Sequence, residues 1–447
     1  MPHAVLTQPG GDGGLPTGGR PPGGVDRGRW IVIGAIAVVI AVILGVVIAE
    51  ASDSDRSFTA SRSTQSSSTR SSSSSSSSNG RGSTTTTTTT PSDPQDLQAV
   101  VLDIEKFVER ERGLQFKNDV AVKLAGEGEF QDLLLKDFDQ ERASLIEEGQ
   151  VLGALGLVPP GTDVVSEMRS LLEVGVVGFY DPETKQLVVR GTDTTPYVRE
   201  VLAHELTHAL DDQWFDLNRP QLDNADDESG YGFLGLVEGN ARRIENAYLD
   251  SLPFDEQQQA FAEQNDLVAQ HPEIFGVPQI LITLIQSPYE DGPGFVQALL
   301  ADGQPKLDAS FASPPITSEQ ILHPDRYLSG QGPVAVPAPA AEGAQENVGV
   351  LGELLMREML FDSIGSANQV NRAVDGWGGD KYVTWSDANG RQCLRDTFVG
   401  DTLGDTRELV DSMQEWARDH GGTVQDADDG SPATLTVCAS GGASSSN

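Results

Sequence analysis

The chain has 447 residues, of which 67 are acidic and 30 are basic, giving a formal net charge of -37 at pH 7. Nucleic-acid binding requires a basic surface, so this charge excludes that class of function and we expect no nucleic-acid partner. With 38% hydrophobic residues, the chain can form one large domain or two ordinary ones.

The N-terminal part has the features of a membrane anchor. Residues 1–29 are rich in glycine and proline and are predicted to be a disordered cytoplasmic tail. An uncharged apolar run then begins at Trp30 and ends at Ala49, and a helix over residues 30–49 is long enough to cross a bilayer. Arginines precede this run and acidic residues follow it, which predicts a cytoplasmic N-terminus and an extracytoplasmic remainder. The alternative is secretion after signal-peptide cleavage near Ala51, but the apolar run is longer than in most signal peptides.

Residues 50–94 are rich in serine and threonine and cannot bury a core. They are predicted to be a flexible linker with a root-mean-square end-to-end distance of roughly 35 Å. The folded domain is predicted to span residues 95–439, and residues 440–447 to be a disordered tail.

Periodic patterns predict the first elements of this domain. A helix is expected over residues 95–112, a strand over 115–122, mainly helix over 129–155 and a hairpin over 176–190. The hairpin lies just before the motif described next. Its edge is suited to binding an extended peptide by strand addition, but an ordinary hairpin that covers the core fits the sequence equally well.

The segment 195–210 is predicted to be a helix, with Thr195 as its N-cap. At its centre is the sequence His204-Glu205-Leu206-Thr207-His208. Residues four apart lie on one face of a helix, so the two histidines can bind one Zn²⁺ ion while Glu205 acts as the general base. The alternative is a pair of core histidines, each of which would need its own buried partner.

A catalytic zinc site normally has three protein ligands. Glu238 is the predicted third ligand, because it lies in the apolar half of a second predicted helix, where a lone carboxylate needs a partner or a metal. Asp211 and Asp212 follow the motif too closely to reach the same ion. Glu245 is near two arginines and is predicted to be a salt-bridged surface residue.

The sequences HELTHALDDQ and LVEGNA resemble those of zincin metallopeptidases of the gluzincin type, and also a group of bacterial membrane or secreted proteins. The resemblance covers residues from about 100 to 438. It implies an α+β, zincin-like fold, predominantly helical with a small antiparallel sheet, and one bound Zn²⁺. It also implies that His204, His208 and Glu238 are the metal ligands and that Glu205 is the catalytic base.

One position departs from that pattern. Arg242 stands where some gluzincin branches have an aspartate that orients a ligand histidine. The orienting group is therefore expected elsewhere, with Asp211 and Asp212 as candidates.

The segment 314–327 resembles a recurring stretch of the same bacterial group and contains His323 and Tyr327. His323 is predicted to be catalytic, as a hydrogen-bond donor to the oxyanion, and Tyr327 is a second candidate. Both side chains are equally suited to local packing.

The C-terminal part is predicted to be α+β, with helices over residues 348–364 and 405–418 and strands over 381–386, 392–398 and 434–438. Cys393 and Cys438 lie on two of these strands. An extracytoplasmic location favours a disulfide between them, which would close a loop of about 45 residues.

These features together predict a membrane-anchored, extracytoplasmic zinc metallopeptidase that acts on peptides or proteins outside the cytoplasm. The alternative is a non-catalytic surface protein that binds a partner or serves as a scaffold on a zincin fold. Hydrolysis of a non-peptide bond, such as a cell-wall amide, is a third hypothesis. Glu205 favours an enzyme, because a structural metal site needs no general base.

Overall fold

A computed structural model describes residues 37–38, 94–136, 138–223, 227–426 and 431–439. The predicted tails and residues 50–93 of the predicted linker lie outside this part. So does the predicted membrane segment, apart from a two-residue strand, β1 (Ala37–Val38). Within the described residues, no helix combines the length and the hydropathy needed to cross a membrane.

The described chain is mostly helical and has two sheets. In chain order the α-helices are α1 (Pro94–Arg112), α2 (Glu127–Leu134), α3 (Arg142–Ala154), α4 (Val164–Gly175), α5 (Pro196–Phe215), α6 (Pro220–Asp223), α7 (Ser229–Ser251), α8 (Phe254–Gln270), α9 (Gln279–Ala301), α10 (Gln304–Ala312), α11 (Ser318–Leu322), α12 (Pro324–Ser329), α13 (Gly352–Ile364), α14 (Ala367–Val374) and α15 (Leu403–His420). The remaining strands are β2 (Ala121–Ala125), β3 (Gly178–Asp181), β4 (Gln186–Arg190), β5 (Gln345–Gly349), β6 (Trp377–Ser386), β7 (Gln392–Gly400), β8 (Thr423–Gln425) and β9 (Ala433–Cys438). This confirms the predicted α+β class.

The first sheet has the strand order β1-β3-β4-β2 and lies beside α5. β3 and β4 form the predicted antiparallel hairpin, with Phe179 opposite Val188, and β2 pairs with β4 in parallel. The prediction of a strand over residues 115–122 was wrong in its position. The backbone amides of Lys117 and Asn118 donate to the side chain of Gln213, so strand pairing begins only at Ala121.

The second sheet is antiparallel throughout, with the order β5-β6-β7-β9-β8. Cys393 lies opposite Cys438 in the β7–β9 register, and the two residues form the predicted disulfide. The helix expected over residues 348–364 begins only at Gly352, because the preceding residues form β5, which pairs with β6. The helical segment expected over 129–155 is divided between α2, a 3-10 turn at Phe138–Gln140 and α3.

Helices α7 and α9 are in backbone contact. A Cβ atom on Gly239 would lie 2.3 Å from the carbonyl carbon of Gly292, and one on Gly292 would lie 2.3 Å from the carbonyl oxygen of Gly235. Only glycine permits so close an approach of two helix backbones. This crossing holds α9 against the part of α7 that carries Glu238.

Candidate metal centre

Helix α5 begins as its sequence predicts. The Thr195 side chain accepts a hydrogen bond from the Val198 amide at 3.3 Å, and Pro196 occupies the first turn. The helix continues to Phe215, beyond the expected end at Leu210. Its apolar residues Val201, Leu202, Leu206, Ala209 and Leu210 are buried in one cluster with Ile244 of α7. The packing of α5 on α7 therefore brings the histidine motif to Glu238.

The three predicted ligands converge. The Nε2 atom of His204 lies 3.1 Å from Oε2 of Glu238, and that of His208 lies 3.4 Å from the same oxygen. One donor atom from each residue lies within 4.8 Å of the other two. Zinc bonds of 2.0–2.2 Å in a tetrahedron place neighbouring donor atoms about 3.3 Å apart, so these distances fit one zinc ion.

Unpaired polar atoms at the same point support this fit. His204, His208 and Glu238 are fully buried. Within the described residues, no hydrogen bond of normal geometry is made by Nδ1 or Nε2 of His208 or by Oε1 of Glu238. Buried polar atoms without partners cost free energy, and a metal ion would satisfy them. The donor set of two imidazoles and one carboxylate is one that zinc uses in catalytic sites.

Glu245 orients the first predicted ligand, His204. Its Oε2 atom lies 2.8 Å from Nδ1 of His204, and its Oε1 atom accepts a hydrogen bond from Arg242. Because this carboxylate accepts the Nδ1 proton, Nε2 is the nitrogen left to bind a metal ion once the ion displaces the second ring proton. The prediction that Glu245 is a surface residue was wrong, since it is fully buried, although its salt bridge with Arg242 is confirmed.

A second glutamate supports Glu245. Burial, together with the charge of Glu245, raises the pKa of Glu200 to about 8. Burial also opposes ionisation of Glu245, but Arg242, His204 and a hydrogen bond from Glu200 together outweigh burial and lower the pKa of Glu245. The two carboxyl groups share a hydrogen bond, in which Glu200, the group with the raised pKa, donates its proton to Glu245.

Two of the predicted ligands, His204 and Glu238, carry opposite charges. Burial alone would lower the pKa of His204, but hydrogen bonds to Glu238 and Glu245 raise it to about 10. Burial alone would raise the pKa of Glu238, but the two histidines lower it to about 2. The site thus stabilises positive charge, and a metal cation would compete with the proton on His204 for binding at this site.

Glu205 lies beside this group and is also fully buried. Neither of its carboxylate oxygens makes a hydrogen bond of normal geometry within the described part of the chain. Burial raises its pKa well above the usual range, opposed mainly by the positive charge of His204. On β3, a Cβ on Gly178 would lie 3.4 Å from Cγ of Glu205, so the hairpin runs directly over this side chain.

The expectation that Asp211 or Asp212 orients a ligand histidine was wrong. Asp211 accepts hydrogen bonds of 2.6 Å from both Arg112 on α1 and Asn240 on α7. Asp212 accepts one of 2.6 Å from the Tyr180 hydroxyl on β3. These aspartates instead tie α5 to its neighbours.

His323 lies at the junction of α11 and α12, with its Nε2 atom 2.8 Å from Oε1 of Glu353. It belongs to a separate group of potential ligands from His204, His208 and Glu238. Its catalytic role stays a prediction. The Tyr327 hydroxyl donates locally to the Ser313 carbonyl at 2.7 Å.

Sequence reasoning missed three residues of this site. The Tyr289 ring on α9 stacks on His204, with ring centroids 6.0 Å apart. Glu200 and Glu245 complete the set, and both had a signal in the sequence. Glu200 is four residues before His204, so helix periodicity places these two on the same face of α5. Glu245 is seven residues after Glu238 and lies on the same face of α7 as Glu238 for the same reason.

The chain was also compared with known proteins. Residues 341–444 match a family model described as a domain of unknown function, DUF8575. No curated protein and no solved structure matches the chain. The matched segment begins after the residues of the metal centre, so the case for the site depends on its geometry.

Proposed function

We propose that this protein is a zinc-dependent metallopeptidase, held by residues 30–49 in a membrane with its catalytic domain on the extracytoplasmic side. The observation that carries the proposal is the convergence of His204, His208 and Glu238 at zinc-like distances, with Glu205 adjacent. Peptides or proteins outside the cytoplasm are the proposed substrates.

The residues of the site have distinct roles in this proposal. When bound, Zn²⁺ supplies a Lewis acid that polarises the scissile carbonyl and lowers the pKa of water toward neutrality. Glu205 accepts a proton from the attacking water and delivers it to the leaving amine. Burial raises the pKa of this carboxyl group, which favours its acceptance of the proton in the first step. Glu245 keeps His204 in the tautomer that presents Nε2 to the metal.

One observation favours the alternative of a non-catalytic binding or scaffold protein. The side chains of His204, Glu205 and Glu238 have no exposed surface, which is typical of a structural metal site. A peptidase with this structure must open before a substrate reaches Glu205. In the described part of the chain the Glu205 carboxylate makes no hydrogen bond of normal geometry, and this supports the enzyme because its burial has a cost that a catalytic role would explain.

Metal content and cleavage of a mixed peptide library separate these alternatives. The full-length protein is loaded with zinc, dialysed and analysed by elemental mass spectrometry, alongside Glu238→Ala, Glu205→Gln and the exposed control Glu273→Ala. We expect Glu238→Ala to lose one equivalent of zinc relative to wild type, and the other two variants to lose none.

In the same samples, wild type and Glu273→Ala should cleave peptides and Glu205→Gln should not. If Glu238→Ala bound as much zinc as wild type, the proposed site would be wrong. If wild type bound zinc at this site but cleaved nothing, the scaffold alternative would replace the enzyme. Equal cleavage by Glu205→Gln and wild type would refute the role of Glu205.

A further inference from the structure

A second group of potential metal ligands lies where three helical elements meet. His323 is the residue between α11 and α12, Glu353 is in the first turn of α13, and Asp375 directly follows α14. Their donor atoms lie within 4.8 Å of one another. From Nε2 of His323, the distance is 2.8 Å to Oε1 of Glu353 and 3.8 Å to Oδ1 of Asp375.

Glu353 shows that this group is not simply a surface ion pair. It is only 2% exposed, and its Oε2 atom has no hydrogen-bond partner within the described residues. Arg357, one turn further along α13, has Nε 3.1 Å from Glu358, and among the described contacts under 4.0 Å none joins it to Glu353. A buried carboxylate with one oxygen unsatisfied and a histidine at the other is poorly stabilised by the protein alone.

The other two residues leave the group open on one side. The side chain of His323 is 29% exposed and that of Asp375 is 55% exposed. A hydrated ion can therefore enter from solvent and keep water in its remaining coordination positions. Arg326, the basic residue of α12, has Nη1 3.1 Å from Asp401, and its Nη2 donates a 3.3 Å hydrogen bond to the backbone carbonyl of Asp375. Within the described residues its closest ion-pair partner is thus Asp401, and the Asp375 side chain is left for a cation.

We propose that His323, Glu353 and Asp375 form a second metal site, which binds a divalent cation such as Zn²⁺. With neutral His323, the two carboxylates carry two negative charges, which one dication neutralises. The donor distances of 2.8 and 3.8 Å bracket the separation of about 3.3 Å between ligands of a tetrahedral zinc ion. An imidazole among the donors favours zinc over magnesium or calcium.

The site has a structural role that follows from its position. Glu353 and Asp375 lie within the family match at residues 341–444, and His323 lies before it. An ion bound here ties this C-terminal region to α11 and α12. Because it binds the folded chain, it also stabilises that chain by mass action.

The test uses the full-length protein with Zn²⁺ as the probe. Zinc equivalents are measured for wild type, Glu238→Ala, Asp375→Asn, Glu353→Gln and the double variant Glu238→Ala/Asp375→Asn. We expect Asp375→Asn and Glu353→Gln each to bind one equivalent fewer than wild type. The second equivalent should remain in Glu238→Ala and be lost in the double variant.

A site-specific readout comes from chemical modification of histidines, followed by peptide mass spectrometry. Zinc should slow the modification of His323 in Glu238→Ala, where the candidate catalytic site is disabled. His271 is the matched control, because its Nδ1 lies 2.9 Å from Glu273 and it belongs to no group of three potential ligands in the described chain. Its modification should not depend on zinc.

Two results would overturn the proposal. One is an unchanged number of zinc equivalents in Asp375→Asn and Glu353→Gln, and the other is equal zinc protection of His323 and His271. Either would show that His323 and Glu353 form only an ion pair. Asp375 is exposed, so Asp375→Asn is expected to fold and to test the site even if Glu353→Gln does not fold.

Discussion

Replacing Glu245 with glutamine removes the charge that orients His204 and keeps the shape of the side chain. The carboxylate accepts a 2.8 Å hydrogen bond from Nδ1 of this ligand. A hydrogen bond to a charged group contributes about 1.5–3 kcal/mol, and a neutral one about 0.5–1.5 kcal/mol. The zinc-binding free energy should therefore weaken by about 1–2 kcal/mol, equivalent to a loss of affinity of roughly 5- to 30-fold. This range overlaps the effect of about 10- to 100-fold that is typical of groups orienting a metal ligand.

The affinity is measured by competition with a chromophoric chelator, in the Asp375→Asn background so that only the candidate catalytic site contributes. Glu256→Gln is the matched control. It removes a carboxylate whose Oε2 lies 2.7 Å from Arg199 of the same helix as His204 but which does not contact a histidine. We expect its affinity to equal that of the background.

Two results would refute the role of Glu245. Unchanged affinity in Glu245→Gln would mean that the hydrogen bond to His204 does not support metal binding. An equal loss in Glu256→Gln would mean that the effect comes from general destabilisation of α5. Thermal midpoints of both variants, recorded without zinc, report that destabilisation directly.

Three further predictions concern stability. Burial raises the pKa of Glu228 to about 8, so between pH 4.5 and about 8 the folded state keeps a proton that the unfolded state loses. The contribution of this carboxyl group to the unfolding free energy is therefore fully present below pH 4.5 and is lost as the pH rises to about 8. Wild type should lose about 5 kcal/mol of unfolding free energy across that range through this group, and Glu228→Gln should not; identical pH profiles in urea denaturation would contradict this. Replacing both cysteines of the β7–β9 disulfide with serine should lower the unfolding free energy by about 4 kcal/mol for a sequence separation of 45, and an unchanged urea midpoint would argue against it. In Gly239→Ala, the new methyl group would lie 2.3 Å from the Gly292 carbonyl carbon and should force α7 and α9 apart. We expect the unfolding free energy, measured by thermal denaturation, to fall by at least about 1–3 kcal/mol. Gly294→Ala is the control, because nothing lies within 4 Å of its new Cβ, and it should not lower the unfolding free energy.

Local signals in the sequence were sufficient to predict the elements around the candidate metal centre. Thr195 and Pro196 define the start of α5, because the cap and the missing amide satisfy the first helical turn. The acidic turn between two apolar runs similarly defines the β3–β4 hairpin. The α+β class and the Cys393–Cys438 disulfide also follow from sequence patterns and are confirmed.

Long-range contacts account for what the sequence did not predict. Nearby arginines predicted an exposed Glu245, but the packing of α5 on α7 buries it against His204. The residues expected to start a strand before Ala121 are held by the side chain of Gln213, which lies far along the chain. Nothing in the pattern around His323 indicates Glu353, because only the folded chain brings them together.

The C-terminal family match does not coincide with a physical unit of the fold. Its residues Leu351, Leu354 and Trp377 belong to the same buried apolar cluster as Phe295 and Ile321, which precede the match. Polar contacts cross the same boundary, since the backbone amide of Leu354 donates a 3.1 Å hydrogen bond to the hydroxyl of Ser318, and His323 lies 2.8 Å from Glu353.

A segment excised at residue 341 would therefore expose apolar side chains and leave Glu353 without His323. The same contacts connect the two parts of the chain mechanically. Ile321 lies against Gly235 on α7, three residues before the predicted ligand Glu238, and is two residues before His323. A cation at His323, Glu353 and Asp375 would fix α11 at this contact, so the second proposed site would stabilise the helix that carries the predicted third ligand of the first.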